Sequence, residues 1–215
     1  MLKAQLSLAR SRPRDAETLR GMMVDMEGDV DRMTRLIEQM LTLTTIDQEQ
    51  LPSLTPLDLT PLLQRLIAQL EPIAAAKGVV LQSDLDPAGV LLVMGNRDQL
   101  HQLFTNLLDN AVKYTFSRGT VTLTAVQSSR WVQVSVADSG IGIAPEHLPH
   151  LFDRFYRTDS ARSRTSGGFG LGLTISRAIV QTHGGTIMCD SDVGRGTVFT
   201  VLLPAASAKA LLDGD

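Results

Sequence analysis

Cysteine is almost missing from this 215-residue chain: Cys189 stands alone, which excludes an internal disulfide and any zinc or iron–sulfur site built on several thiolates. That usage points to a reducing compartment. Net charge is small as well. Twenty Lys and Arg against 23 Asp and Glu leave -3, so there is no basic footprint for nucleic acid or an anionic membrane surface. Long apolar runs are also lacking. The longest cover a few residues, against the roughly 20 needed to cross a bilayer, and no charged leader precedes a short apolar segment. Histidine is scarce and late, at His101, His147, His150 and His183, with none in the first hundred residues.

What is present describes one ordinary folded domain with a modest appendage: 43% of residues are hydrophobic and 20% charged, which excludes a disordered chain. Methionine is concentrated. Five of the eight (Met22, Met23, Met26, Met33 and Met40) fall within nineteen residues. Around them Leu19, Met23, Met26, Val30, Met33, Ile37, Met40 and Thr44 step by 4 and 3, a heptad seam that predicts a long helix packed against other helices. Met22, Leu36 and Leu41 widen the stripe toward that of a four-helix bundle. Asp15 is placed to cap this helix after the Ser11-Arg-Pro-Arg14 breaker. The candidate antiparallel arm before it, Leu2 to Arg10, is short. It would cover the long helix only to about Met26, so Val30, Met33, Ile37 and Met40 are expected to pack in a second copy of the chain or, failing that, on the rest of the domain.

Pro52 and Pro56 mark residues 48–57 as a linker. Beyond it the pattern turns to α/β. Thr60-Pro61 predicts a helix start, with Thr60 as N-cap, and Gly78 its end. Short strands are expected at 79–81 and 90–94, a helix at 98–114, and a hairpin of 120–126 with 131–137. A helix at 170–183 and strands at 186–189 and 197–203 complete the domain. The order predicts a two-layer sandwich, a mixed sheet covered by helices on one face.

Three groups of residues carry candidate chemistry. On the 98–114 helix, Gln102, Asn106, Asn110 and Lys113 share an arc of roughly 80°, three of them bringing amide oxygens and one an ammonium suited to a magnesium–phosphate group. At the end of the 131–137 strand, alternation puts Asp138 on the face of Val132, Val134 and Val136, with Gly140 and Gly142 next. A carboxylate at that apolar edge needs donors, from the local backbone or from a ligand. Third, Gly167-Gly168-Phe169-Gly170-Leu171-Gly172 opens a helix, where free N–H groups attract phosphate. Residues 144–165 before it, with Arg154, Arg157, Arg162 and Arg164, read as a mobile flap anchored by Phe152 and Phe155.

These residues resemble the histidine protein kinases of two-component signalling, with their Bergerat-type (HATPase) ATP-binding domain. Asn106-Leu-Leu-Asp109-Asn110-Ala-Val-Lys113-Tyr114 is similar to the N box, Asp138-Ser-Gly140-Ile-Gly142-Ile143 to the first glycine box, and Phe152-Asp-Arg-Phe155 to the F box. Gly168-Phe-Gly170-Leu171-Gly172-Leu is similar to the second glycine box, and Gly194-Arg-Gly196-Thr197 to the last turn of the family. The front resembles the dimerisation and histidine-phosphotransfer hairpin. The resemblance implies a truncated hairpin at 1–47 forming a dimeric bundle, a linker at 48–57, an ATP-binding catalytic domain at 58–205 and a flexible tail at 206–215.

It also implies roles. Asp138 would accept the adenine amino hydrogen, partly through a water that Thr197 helps hold, with Gly140, Gly142 and Ile143 beside it. Asn110 would chelate Mg2+, Asn106 and Lys113 would approach the phosphates, and Tyr114 would lie along the adenine. Gly168, Gly170, Leu171 and Gly172 would close N–H groups around the triphosphate of ATP, with Arg157 as a further phosphate contact. The implied partner is a response regulator receiver domain, and the expected compartment the cytoplasm, for a parent that the family allows to be anchored in the inner membrane. The family's acceptor histidine on the first bundle helix has no counterpart here, so no catalytic residue is assigned. The chain reads as a fragment or shortened variant that binds ATP without phosphorylating itself. Two other classes fit less well: an ATP-hydrolysing conformational module of the topoisomerase and mismatch-repair kind, for which Asp109 is the nearest acid, and a non-catalytic regulatory module.

Overall fold

The computed structural model describes residues 7–8, 11, 15–47, 53–85, 89–158 and 169–206. Two compact units divide the chain, Met1–Thr45 and Ile46–Asp215.

The first unit is dominated by helix α1 (Ala16–Asp47). Asp15 starts it as expected: one carboxylate oxygen accepts the Thr18 N–H at 2.7 Å and the other the Thr18 hydroxyl at 2.8 Å. Along its heptad seam Met23, Val30, Met33, Ile37 and Met40 are between 49% and 64% exposed, while Leu19 and Met26 are half-buried. The candidate partner arm lies outside the described residues, apart from Ser7 and Leu8.

The second unit runs β1 (Thr55–Asp58), α2 (Thr60–Lys77), β2 (Val80–Leu85), β3 (Leu92–Gly95), α3 (Arg97–Tyr114), β4 (Thr120–Gln127) and β5 (Trp131–Asp138), followed by a 3-10 turn (Pro145–His150), α4 (Gly172–Thr182), β6 (Thr186–Asp192) and β7 (Gly196–Pro204). Five strands form one sheet in the order β2-β4-β5-β7-β6, with β2 parallel to β4 and the other pairs antiparallel. The mixed sheet is the one expected. Strand alternation sends Val121, Leu123, Val132, Val134, Val136, Phe199, Val201 and Leu203 to one face, where all are buried. Leu100, Leu103, Phe104, Leu107, Ile175 and Ile179 of α3 and α4 are fully buried as well and complete the core. The opposite face, with Thr122, Gln133, Ser135 and Thr200, is half-buried or exposed.

Three local expectations are corrected. Residues 55–57, expected in the linker, begin β1, which pairs antiparallel with β3 in a separate two-stranded sheet. So β3 does not extend the large sheet. Thr60 is not an N-cap but the first helical residue. Its N–H is taken by Asp58 Oδ1 at 2.9 Å, and that same oxygen holds the Leu91 N–H at 3.1 Å. Propensity alone placed the cap at the hydroxyl next to Pro61, whereas a carboxylate two residues earlier reaches two donors at once. Finally, α3 opens at Asn96, whose side chain accepts from the Asp98 and Gln99 N–H groups.

Candidate functional site

Helix α3 is held at both ends. At its start the Asn96 N–H donates to His183 Nε2 at 3.0 Å, and His183 Nδ1 donates to the Ile179 carbonyl at 2.7 Å. This buried imidazole is therefore neutral and ties the start of α3 to the end of α4; burial lowers its pKa. At its far end, Lys77 Nζ of α2 donates to the Val112 and Lys113 carbonyls, placing a cation where the helix dipole favours one. Between these supports Gln102, Asn106, Asn110 and Lys113 lie on one stripe, each half-buried.

Two other segments meet that stripe. Asn106 Nδ2 donates to the Gly172 carbonyl at 3.2 Å, joining the middle of α3 to the glycine-rich start of α4. The Tyr114 carbonyl accepts the Ile141 N–H at 3.2 Å, joining the end of α3 to the turn after Asp138. Asn110 lies one turn from Asn106 and from Tyr114, and its amide makes no hydrogen bond among the described residues. Lys113 Nζ sits 5.1 Å from the centroid of the Tyr114 ring.

Asp138 reaches the end of β5 half-buried, beyond the fully buried Val132, Val134 and Val136. Its Oδ1 accepts the Gly140 N–H at 2.8 Å, and the Thr197 backbone N–H also faces it. Burial raises its pKa above the usual carboxylate value and outweighs these two donors. Local backbone thus meets only part of its demand. β7 sets Thr197 opposite Asp138, and β6 sets Ser191 opposite Thr197. Ser191 Oγ lies 2.9 Å from Thr197 Oγ1 and 2.8 Å from the Gly196 carbonyl, and it accepts the Ile143 N–H at 2.8 Å.

The glycines are required mainly by the protein's own backbone. A Cβ on Gly140 would sit 2.5 Å from the Tyr114 carbonyl oxygen, and Gly142, at φ +66°, abuts the Asp192 backbone. Gly170, at φ +76°, is pressed against the Tyr156 carbonyl, whereas a Cβ on Gly172 would meet only the Asn106 side chain, at 3.8 Å. Leu171 is buried at 1% exposure, so only its backbone remains for a ligand. Gly168 lies outside the described residues. Arg157 is half-buried at the far end of the described part of the flap.

Phe155 does not anchor the flap with its ring, as expected from sequence. The ring is 57% exposed, and the residue adopts φ +63° while its N–H donates to the Gly170 carbonyl. Leu151 is the buried anchor, and a His147 Nδ1 to Tyr156 hydroxyl hydrogen bond of 2.8 Å braces it. Phe152 is half-buried beneath the Arg177 guanidinium, 5.9 Å away. Sequence reading missed Ser191, Asn96 and Lys77. Ser191 had a legible signal, a small polar residue two positions after Cys189 on an otherwise apolar strand face, and so had Asn96, a preferred N-cap type just before the expected helix.

No cluster of three or more His, Cys, Asp or Glu that could hold a metal occurs among the described residues. A divalent ion here would take few protein ligands. An unengaged amide oxygen such as that of Asn110 fits Mg2+, which keeps water and phosphate oxygens in most of its positions.

Comparison with known proteins places the chain in a family. Residues 95–207 match the family described as histidine kinase-, DNA gyrase B- and HSP90-like ATPase. The sensor histidine kinase RppB of Synechocystis is 37% identical over 187 residues, 86% of this chain and 41% of its own. Full-length ShkA in complex with AMPPNP superposes with a TM-score of 0.76 at 28% identity, over 97% of this chain and 44% of that one. The complex of histidine kinase ThkA with response regulator TrrA shares the fold, with a TM-score of 0.74 at 22% identity over 95% of this chain and 57% of that one. The chain spans about two fifths of the length of the curated relatives it matches. Similar in sequence to sensor histidine kinases over most of its length, the chain belongs to the family of histidine kinase-, DNA gyrase B- and HSP90-like ATPases.

Proposed function

We propose that this chain is the ATP-binding catalytic core of a two-component sensor histidine kinase. The observation that carries it is the meeting of three segments on one helix: Asn106 bonded to Gly172, and the Tyr114 carbonyl bonded to the turn that follows Asp138. In this reading Asp138 accepts the adenine amino hydrogen, Thr197 assists it through a water, and Gly140, Gly142 and Ile143 border the base. Tyr114 lies along the purine. Asn106, Lys113 and Arg157 approach the phosphates, and the backbone of Gly168, Gly170, Leu171 and Gly172 closes on them. Asn110 holds Mg2+, which when bound neutralises phosphate charge.

In the transfer step an imidazole nitrogen attacks the γ-phosphorus, the bond to the bridging oxygen breaks and ADP leaves; a receiver-domain aspartate then takes the phosphoryl group from the histidine. The protein's part is positioning and charge neutralisation. None of the four histidines stands in residues 1–47, the part that resembles the acceptor-bearing hairpin, and His101 lies on α3 itself. His183 has both nitrogens engaged, while His147 and His150 are paired with Tyr156 and Asp153. The chain is therefore expected to bind ATP without labelling itself and to phosphorylate a hairpin supplied in trans. The exposed seam on α1 pairs with a second copy of the chain as a dimerisation element, in the cytoplasm.

Titration with magnesium ATP, followed by amide NMR, tests the core of this. Shifts concentrated in 102–114, 138–143 and 169–173 are expected. Unmoved signals in all three segments of a folded sample would refute the reading.

A further inference from the structure

One row of side chains carries the nucleotide reading a step further and rests on it. Ser191, Thr197 and Asp138 stand opposite one another on β6, β7 and β5, so all three point to the same face of the sheet. Ser191 is 9% exposed and has three polar neighbours: the Ile143 N–H, the Gly196 carbonyl and the Thr197 hydroxyl. A serine hydroxyl carries one proton and two lone pairs. The Gly196 carbonyl only accepts, so the Ser191 proton goes there. The Ile143 N–H only donates and takes one lone pair. The remaining lone pair receives the Thr197 proton.

Thr197 is thereby left with lone pairs alone for any group beyond the sheet. Its neighbour Asp138 is also an acceptor as a carboxylate. Two adjacent acceptors favour an amino group, directly or through a water, and disfavour a carbonyl in the same place. We propose that Ser191 is a positioning residue for purine discrimination: by drawing the Thr197 proton toward itself, it keeps the Thr197 hydroxyl an acceptor and so disfavours a 6-oxo purine relative to a 6-amino one. Ser191 does not itself touch the base.

The test is equilibrium binding of magnesium ATP and magnesium inosine triphosphate to the full chain, expressed as Kd(ITP)/Kd(ATP), in a double-mutant cycle. In Ser191→Ala the freed Thr197 hydroxyl can turn and donate to an oxo group, so the ratio is expected to fall by about 5-fold, the worth of one hydrogen bond. Thr197→Val should also lower it. With Val at 197, Ser191→Ala should change the ratio by less than about 1.5-fold, since the coupled partner is gone. A merely structural serine would lower the unfolding midpoint in both backgrounds and leave the ratio alone. Ser191→Thr keeps the hydroxyl and should keep the parental ratio.

Equal ratio shifts in both backgrounds, or none in either, would overturn the inference. If Ser191→Ala does not fold, the parent chain still decides. Its Thr197 hydroxyl proton should exchange slowly and show an NMR contact to the Ser191 methylene; contact to the bound purine instead overturns the inference. A parent that binds neither nucleotide refutes the nucleotide reading and this inference with it. One that binds ATP with a ratio indifferent to Ser191 refutes the inference alone.

Discussion

Replacing His183 with Ala removes an imidazole that joins the start of α3 to the end of α4 through two hydrogen bonds of 3.0 and 2.7 Å. Without the ring the Asn96 N–H loses its acceptor, whereas the Ile179 carbonyl keeps the backbone N–H of residue 183; His183 itself is 4% exposed, so its site is largely closed to water. Leaving a buried group unsatisfied costs about 1–3 kcal/mol. The deleted ring adds a cavity term, and a total of about 3 kcal/mol is expected. The pH dependence is the sharper signature. Burial holds the folded-state pKa of His183 below its ordinary 6.5, so on acidification the unfolded chain takes up the proton first. The stability this residue contributes is full above about pH 6.5, falls as pH drops through that value, and levels off below the folded-state pKa. The slope it adds is at most about 1.4 kcal/mol per pH unit. The assay is urea unfolding of parent and His183→Ala from pH 5 to 8, followed by circular dichroism. The difference between their stabilities should shrink toward low pH. His101, His147 and His150 are common to both proteins and cancel in the subtraction. A difference that is constant across the range, or that grows on acidification, would refute the neutral-strut assignment.

Three further outcomes follow from the geometry. Asp138→Asn should weaken ATP binding at least 10-fold, by removal of a charged acceptor, yet leave the nucleotide-free chain as stable as the parent or more so, because burial already raises the Asp138 pKa; calorimetry of binding and of unfolding separates the two effects. The raised pKa also means that ATP affinity of the parent should begin to fall at a higher pH than for an ordinary carboxylate, a dependence that Asp138→Asn should lack. Gly170→Ala forces a side chain into φ +76° against the Tyr156 carbonyl and should lower stability by about 1–3 kcal/mol in thermal unfolding. Cys189 is pushed up to about 12 by burial and by Asp190 and Asp138, so iodoacetamide at pH 8 should alkylate it only in denaturant, as mass spectrometry would report.

Periodicity made most of this architecture legible before any coordinates. The α3 stripe, the β4–β5 hairpin and the arrival of Asp138 on the buried face follow from turns of 100° and alternations of 180°, both local rules. The Asp15 cap was equally local, since the carboxylate reaches a donor three residues on. Errors arose where a distant partner decided. Residues 55–57 became a strand because β3 lay beside them, and Thr60 lost its capping role to a carboxylate that also serves Leu91. Phe155 was assigned an anchoring role on hydrophobicity, but the close approach of Gly170 holds its backbone in a left-handed turn that leaves the ring outside.

The sequence by itself determined which residue types were available, on which helix stripe or strand face, and the family that their motifs resemble. Only the tertiary structure decided which of them touch. Asn106 meets Gly172 across 66 positions and His183 meets Asn96 across 87, and such pairings are set by how helices pack on a shared sheet. The same holds for the row Asp138, Thr197 and Ser191, which exists because three antiparallel strands settle in one register. The direction of a hydroxyl proton there is fixed by the neighbours that register supplies, because a proton's donor and acceptor partners belong to the fold rather than to the residue.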